Sequence, residues 1–217
     1  MVEMKILKTH EDWLKNRMGG IGGSEISAVI GANPYMDNVT LWEYKTGRRV
    51  SDDISGKPFV EYGTKAEHHL RELFKLDFPQ YQVDYVENNS FTNDKYPWAK
   101  ASLDGWLTEL ETGRQGIWEC KTTEILRSMQ KEKWQNQIPM NYYCQVLFYM
   151  AVCEKNFTVL KAQLKTVFDK IPYLQTKHYI IEREDVQGDI DYLMQEGEKF
   201  WEYVLADKQP PLVLPKI

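Results

Sequence analysis

Two acids and a lysine lie close together in the segment 99–123, where their spacing could support chemistry. Asp104 lies in a first strand-like stretch, and Glu119 and Lys121 lie in a second. Side chains alternate between the two faces of a strand, so Glu119 and Lys121 point the same way. The turn signal Glu-Thr-Gly at 111–113 lies midway between the two acids. An antiparallel hairpin therefore places Asp104 nearly opposite Glu119.

This pair of carboxylates suits a divalent cation. Directly opposed residues of a hairpin have Cβ atoms roughly 4.5 to 5.5 Å apart. Carboxylates this close repel each other unless a cation lies between them, and Mg²⁺ prefers oxygen ligands at about 2.0 to 2.1 Å. A metal ion polarises a phosphoryl oxygen and activates water, and a neighbouring lysine stabilises charge on the phosphorus. The segment favours phosphodiester hydrolysis, and the alternative is an ordinary amphipathic hairpin with exposed charges.

A glycine-rich turn at 19–23 separates two short predicted helices. Thr9 is predicted to cap the first, which runs to about Arg17, and Ser24 to cap the second, at 25–30. Free backbone N–H groups before a helix favour phosphate, to which Arg17 could add a bidentate clamp and Ser24 a hydroxyl donor. The segment is either an anion site or only a flexible turn with a helix cap.

A longer helix is predicted over Pro58–Asp77, and Glu67 lies within its apolar stripe. The stripe is formed by positions that share one helix face: Gly63, Ala66, Leu70 and Phe74. A carboxylate in such a stripe is costly unless a cation or metal accompanies it. Glu67 is therefore a candidate third acid, and the alternative is a glutamate at the stripe edge that reaches solvent.

Gln145 is an amide residue in a predicted helix that runs from Pro139 to about Cys153 and is apolar nearly all round. Such a helix is expected to be buried. A buried amide needs hydrogen-bond partners. Water or a metal-bound carboxylate of the site would supply them, and an internal structural hydrogen bond is the alternative.

The remaining patterns predict an α/β fold in which a central mixed sheet is flanked by helices on both sides. Strands are predicted at 82–92, 101–108, 116–122, 158–166 and 177–182. Further predicted features are a short helix at 40–47, a partly helical connection at 128–137, a helix at 184–207 and an extended tail at 209–217. The packing face of the last helix comprises Ile190, Leu193, Met194, Phe200, Trp201 and Val204.

Composition narrows the class of protein. A chain of 217 residues with 42% hydrophobic content predicts one domain, 1–217. The absence of a long apolar run and of a signal-peptide pattern predicts a soluble intracellular protein. A net charge of −5 counts against a module that grips nucleic acid by bulk charge. Cys120, Cys144 and Cys153 lack the spacing of a zinc site or disulfide framework and are expected in the core.

Five segments in order resemble the phage lambda exonuclease and YqaJ-type viral recombinase family, within the PD-(D/E)xK nuclease superfamily. They are Arg17 with GIGGSEISAVIG, EYGTKAEHHL with Glu67, SLDG with Asp104, WECK with Glu119 and Lys121, and NYYCQVLFYM with Gln145. They span about residues 17–153. The chain departs from the superfamily name at Ser102-Leu103, which stands where that name has a proline before the aspartate.

The resemblance implies a restriction-endonuclease-like core that uses Mg²⁺ or Mn²⁺, with two ions per active site. Asp104, Glu119 and the backbone carbonyl of Cys120 are then metal ligands. Lys121 is the catalytic lysine, and Glu67 binds the second metal ion or orients water.

The resemblance also assigns the remaining site residues and the substrate. Gln145 lines the site, and Arg17 and Ser24 form a pocket for the 5′-phosphate of a DNA end. The implied activity is processive 5′ to 3′ degradation of double-stranded DNA, which leaves a 3′ single strand for an annealing protein of the RecT or Bet type. The resemblance further implies that three subunits form a ring around the DNA. It also implies a protein that acts in the cytoplasm of a bacterial host and is encoded by a phage or prophage.

Three other classes share part of this pattern. One is a RecB-like nuclease, although the relatives of that kind that hold an iron-sulfur cluster need four cysteines, and this chain has three. Another is a restriction-type endonuclease that cuts at an internal sequence. The third is an inactive DNA-end-binding protein, against which the presence of Asp104, Glu119 and Lys121 argues.

Overall fold

The computed structural model describes residues 1–50, 52 and 54–214. Its strands are β1 (Val2–Ile6), β2 (Ile21–Gly22), β3 (Tyr81–Asp84), β4 (Asn89–Asn93), β5 (Tyr96–Ala101), β6 (Gly105–Glu109), β7 (Gln115–Glu124), β8 (Phe157–Phe168) and β9 (Ile171–Glu182). Its helices are α1 (His10–Met18), α2 (Gly23–Val29), α3 (Asn38–Lys45), α4 (Pro58–Asp77), α5 (Ser128–Glu132), α6 (Met140–Cys153) and α7 (Gln187–Leu205), the last preceded by a 3₁₀ turn at Glu184–Val186.

The strands form two mixed sheets. The larger has the order β3-β6-β7-β8-β9, in which β7 and β8 are parallel and the other neighbours antiparallel. Helix α6 supplies the crossover that a parallel β7–β8 pair requires. The smaller sheet has the order β1-β4-β5-β2 and was not predicted. The predicted α/β class with a mixed sheet flanked by helices is confirmed.

The strand predicted at 101–108 is confirmed over 105–108, where it pairs antiparallel with β7, but its start is wrong, because β5 ends at Ala101 in one sheet and β6 begins at Gly105 in the other. Asn89 explains the break. Its side-chain oxygen accepts from the Leu103 N–H at 2.8 Å, and its amide donates to the Leu103 carbonyl at 2.9 Å. These bonds replace the ladder partners that a continuous strand would provide. The predicted strand at 82–92 likewise divides into β3 and β4, which lie in different sheets.

Helix boundaries follow the capping groups. The predicted bounds of α4 are confirmed, with Pro58 at its first position, and Thr9 caps α1 by accepting from the Asp12 N–H at 3.1 Å. Ser24 is not a cap. Helix α2 begins after Gly22, because the Glu25 carboxylate reaches back to accept from the Gly22 N–H at 2.7 Å.

The core lies on both faces of the larger sheet. Helix α6 is buried along most of its length among α2, α7 and the strands, and α4 covers the other face through Leu70 and Phe74. The three cysteines are buried and free, as expected. The predicted face of α7 packs into this core, with Trp201 and Val204 at its edge. The predicted tail has no helix or strand through residue 214, and residues 215–217 lie outside the described part.

Within residues 1–50, 52 and 54–214, no helix combines the length and apolar character needed to cross a membrane.

Candidate active site

Asp104 lies at the crossing between the two sheets, directly beside β7. The antiparallel register pairs Gly105 with Trp118, so the next position along brings Asp104 next to Glu119. Asp104 Oδ2 also accepts from the Cys120 N–H at 2.9 Å. The structure thus brings together the two acids that the sequence places on neighbouring segments.

Lys121 and Gln145 converge on one oxygen of Glu119. The Lys121 ammonium lies 2.7 Å from Glu119 Oε1, and Gln145 Nε2 donates to the same oxygen at 2.9 Å. Gln145 also donates to the hydroxyl of Tyr149 at 3.0 Å. The buried amide therefore finds partners at the site itself, and one of them is the Glu119 carboxylate.

Glu67 faces the site through an ion pair with Arg71, a buried cation that sequence reasoning missed. Arg71 Nη1 donates to Glu67 Oε1 at 3.0 Å and to the backbone carbonyl of Asp104 at 2.5 Å. The ring of Tyr85 lies 3.7 Å from the guanidinium carbon. The sequence signal for this pair is the i, i+4 spacing of Glu67 and Arg71 on one helix.

Burial and mutual repulsion raise the pKa values of the acids. Burial raises the pKa of Glu119 to about 8, the charge of Asp104 adds to the effect, and Lys121 opposes it. Burial likewise raises the pKa of Glu67 to about 7, with a further contribution from Asp104, and it raises the pKa of Asp104. Burial lowers the pKa of Lys121, but the carboxylates of Glu119 and Asp104 outweigh it, so the pKa is raised and the ammonium stays protonated.

The donor set fits a hard divalent cation. Glu119 Oε2 is buried and has no hydrogen-bond partner among the described residues, which is costly for a carboxylate oxygen. In the same part of the chain, no three Asp, Glu, His or Cys side chains already converge on one metal position. The reason is that Lys121 holds Glu119 and Arg71 holds Glu67. The oxygens of Asp104 and Glu119 are the type that Mg²⁺ and Mn²⁺ prefer.

Arg17 and Ser24 also meet. Arg17 Nη2 donates to Ser24 Oγ at 3.0 Å, and its guanidinium lies 4.7 Å from the ring centre of Trp13. Glu25 is 3.8 Å from Arg17, but its stronger partner is the buried ammonium of Lys45 at 2.8 Å. Because Lys45 neutralises Glu25, the positive charge of Arg17 remains available to an anion.

One cleft of about 410 Å³ connects the two groups of residues. It is lined by Arg17 and Ser24 at one part and by Glu67, Asp104 and Gln145 at another. Beside these residues lie the buried side chain of Glu119 and the half-buried side chain of Lys121. In addition, Trp13 Nε1 donates to Ser102 Oγ at 2.8 Å, which links α1 to the strand crossing. Neither Trp13 nor Asn89 carries a local pattern that marks it as part of a site.

The mixed sheet β3-β6-β7-β8-β9, flanked by helices, is the restriction-endonuclease-like fold. Asp104 lies just before β6, and the Glu-X-Lys sequence lies on β7. The alkaline exonuclease LHK-Exo from Laribacter hongkongensis shares this fold, with a TM-score of 0.67 and 19% identity over 91% of this chain and 93% of that one. A phage-related exonuclease from Haemophilus somnus 129PT matches with a TM-score of 0.56 and 10% identity, over 87% and 96% of the two chains.

The chain belongs to the family of YqaJ-like viral recombinase domains, whose model matches residues 12–156. The resemblance read from the five segments is thereby confirmed. The uncharacterized protein YqaJ of Bacillus subtilis (strain 168) is 28% identical over 211 residues, which cover 94% of this chain. The chain spans 59% of the length of that relative.

Proposed function

We propose that this chain is a metal-dependent deoxyribonuclease that degrades double-stranded DNA from its ends in the 5′ to 3′ direction. The observation that carries the proposal is the placement of Asp104, Glu119 and Lys121 beside a cleft that also contains the Arg17–Ser24 pair. One group can cleave a phosphodiester, and the other can hold a terminal phosphate. Family membership and the fold shared with exonucleases support the same reading.

The acids would hold the metal ions. Asp104, Glu119 and the backbone carbonyl of Cys120 would bind Mg²⁺ or Mn²⁺, and Glu67 would contribute to a second ion or orient water. Bound divalent ions supply Lewis acidity toward a phosphoryl oxygen and toward water.

The remaining side chains would position the carboxylates and stabilise charge on the scissile phosphate. The protonated ammonium of Lys121 stabilises negative charge that develops on the scissile phosphate. Gln145 holds the Glu119 carboxylate in one orientation through its 2.9 Å hydrogen bond. Arg71 does the same for Glu67 and, through the backbone carbonyl, for Asp104.

The phosphate pocket would set where the enzyme begins. A guanidinium and a hydroxyl 3.0 Å apart can both donate to the oxygens of a 5′-phosphate. With that end held in the cleft, the acids act on a phosphodiester near the end, which is exonuclease action.

We further propose the biological setting that the resemblance implies. The product is a 3′ single strand that an annealing protein of the RecT or Bet type uses in phage-type recombination, in the cytoplasm of a bacterial host. A ring-shaped trimer around the DNA would let an acidic subunit stay bound while it moves along the duplex.

Degradation of an end-labelled linear duplex, with Mg²⁺ or with chelator, tests the activity. We expect wild type to degrade the linear duplex only with Mg²⁺ and to leave a covalently closed circle intact, which a sequence-cutting endonuclease would not.

Lys121→Met should lower the rate of degradation by about 10²- to 10³-fold, as loss of a single charge-stabilising donor does, and the variant should still bind DNA. Asp104→Ala and Glu119→Ala should abolish turnover in the same way.

Lys199→Met is the matched control, because Lys199 lies on α7 and pairs only with Glu196 among the described residues. Full activity of Lys121→Met would contradict the assignment.

Arg17→Ala should lower the rate of degradation most on 5′-phosphorylated ends. An equal loss of rate on 5′-hydroxyl ends would exclude the terminal-phosphate pocket.

A further inference from the structure

Lys100 is a half-buried lysine on β5 that lines the same cleft as Arg17 and Asp104. Within the described part of the chain, its ammonium pairs with no carboxylate and makes no hydrogen bond, and the charged group that acts on it is Lys5, another cation. Two other lysines near the cleft have carboxylate partners. Lys45 pairs with Glu25 and Lys121 with Glu119, at 2.8 and 2.7 Å.

The stem of Lys100 is held in place by the glycine-rich segment. Gly22 pairs with Lys100 in the parallel β2–β5 ladder. A Cβ atom at Gly20 would lie 2.9 Å from Cγ of Lys100 and 2.5 Å from the carbonyl oxygen of Trp98. Glycine is therefore needed at position 20, because only a bare backbone can approach β5 this closely.

Lys100 lines the cleft together with residues of the strand crossing that leads to the acids. Ser102, just after the end of β5, and Asp104 line the same cleft. Helix α1 covers Ser102 through the hydrogen bond from Trp13. Lys100 and Ser24 thus line one cleft.

The ammonium of Lys100 lacks a negative partner among the described residues, so an anion would be stabilised next to it. Burial lowers the pKa of Lys100, and the positive charge of Lys5 lowers it further. Lys5 itself is exposed and lies 3.4 Å from Glu3, so it does not bring a carboxylate to Lys100. A phosphate in the cleft would supply the negative charge that the described residues lack at this position.

We propose that Lys100 binds an internucleotide phosphate of the DNA in the cleft, distinct from the terminal phosphate at Arg17 and Ser24. This proposal rests on the proposed nuclease function and names a further substrate contact for it. DNA is the fitting ligand because it presents a regular row of phosphates, which allows one strand to engage both cations at once.

A second groove, of about 320 Å³, does not contain a comparable unpaired lysine among its described lining residues. It is lined by residues that include Phe59, Tyr62 and Lys165. Its lysine already has a carboxylate neighbour, since Lys165 lies 3.9 Å from Glu124. The unpaired cation favours the cleft at Lys100 as the path of the DNA backbone.

The test compares Lys100→Met with wild type in steady-state degradation of linear duplex in Mg²⁺ at several salt concentrations. Loss of one charged phosphate contact should raise KM by about tenfold and leave kcat unchanged. It should also reduce the slope of log(1/KM) against log[salt] by about 0.9. Both effects should be equal on 5′-phosphorylated and 5′-hydroxyl ends. Lys100→Arg should restore the slope.

Lys95→Met is the matched control, because Lys95 precedes the same strand at its far end and lies outside the cleft. A salt slope of Lys100→Met that equals the slope of Lys95→Met would overturn the proposal. A loss confined to 5′-phosphorylated ends would also overturn it, by placing Lys100 in the terminal pocket. Lys100→Gln provides a second variant if Lys100→Met does not fold. Failure of wild type to degrade DNA would instead refute the nuclease function itself.

Discussion

Glu119 shows how one residue combines structure and chemistry. One of its carboxylate oxygens is held by an ammonium and an amide, and the other is buried without a partner in the described part of the chain. The first arrangement orients the carboxylate, and the second leaves an oxygen for a ligand. A fully satisfied carboxylate would be more stable but could not bind a metal ion as readily.

At the same scale, the loss of Arg71 is predicted to lower the stability of the fold. Arg71→Met removes the cation that holds Glu67 and the Asp104 carbonyl, and it leaves a partly buried carboxylate without its partner. Breaking such a pair should lower the free energy of unfolding by about 3 kcal/mol. Urea denaturation monitored by circular dichroism measures the change.

The double variant Arg71→Met, Glu67→Gln separates the two causes of that loss. Neutralising position 67 removes the unpaired charge, so the double variant should recover part of the lost stability. A double variant less stable than Arg71→Met would show that packing of Arg71 on Tyr85, and not the ion pair, dominates.

At the scale of elements, the position of the proposed phosphate pocket depends on how closely α2 approaches α6. Gly23 begins α2, and a Cβ atom at Gly23 would lie 2.2 Å from Cε1 of Tyr149. Tyr149 in turn accepts a hydrogen bond from Gln145. The contact between the two helices therefore joins the segment that holds Ser24 to the residue that orients Glu119.

Gly23→Ala tests this contact. The added methyl group must push α2 away from α6, and overpacking of this kind should cost about 1 to 3 kcal/mol of unfolding free energy. Gly188→Ala is the control, because Gly188 lies in α7 and a Cβ there meets nothing within 4 Å. In a helix that substitution should be neutral or stabilise by up to about 1 kcal/mol. Equal effects of both substitutions in urea denaturation would contradict the close approach.

For the whole molecule, the cleft lies where the two sheets meet. The three residues 102–104 pass from β5 to β6, and they line the cleft together with residues of the smaller sheet and of helices α1, α2, α4 and α6. In the proposed complex with DNA, Arg17 and Lys100 would place positive charge locally in a chain whose net charge is −5.

For the whole fold, the contribution of His178 to stability should fall as the pH drops below about 6.5, whereas the raised pKa values of Glu119 and Glu67 act in the opposite direction. Burial lowers the pKa of His178, the charge of Lys161 lowers it further, and Asp77 opposes these effects. The unfolded chain then binds a proton more readily than the folded one, so protonation favours unfolding. The contribution of His178 is complete above its unfolded pKa and is lost as the pH falls toward its folded pKa.

His178→Phe should remove the contribution of His178, so the free energy of unfolding of the variant should increase relative to that of wild type as the pH falls from about 7 to 5. Phenylalanine fits the surroundings, since the rings of Phe78 and Phe74 lie 4.7 and 6.0 Å from the histidine ring. His68→Gln, at an exposed position of α4, is the control. The free energy of unfolding, measured in urea at each pH, would contradict the assignment if both variants kept the slope of wild type.

Local patterns in the sequence determined much of the fold. The bounds of α4 follow from a proline at its start and an apolar stripe with helical period, and both signals lie within the helix itself. The burial of α6 follows from apolar residues on all its sides. The sequence also predicts that Glu119 and Lys121 share one face of β7, because that prediction needs only the two-residue period of a strand.

Only the tertiary structure decided where the strands divide and which side chains meet. Residues 101–108 have strand character throughout, and their division between two sheets depends on hydrogen bonds from Asn89, which lies on another strand. Arg71 becomes part of the site because packing of α4 brings it to the Asp104 carbonyl, 33 residues away in sequence. Periodicity records which face of an element is buried, whereas such contacts depend on how distant elements pack, and no local pattern encodes that.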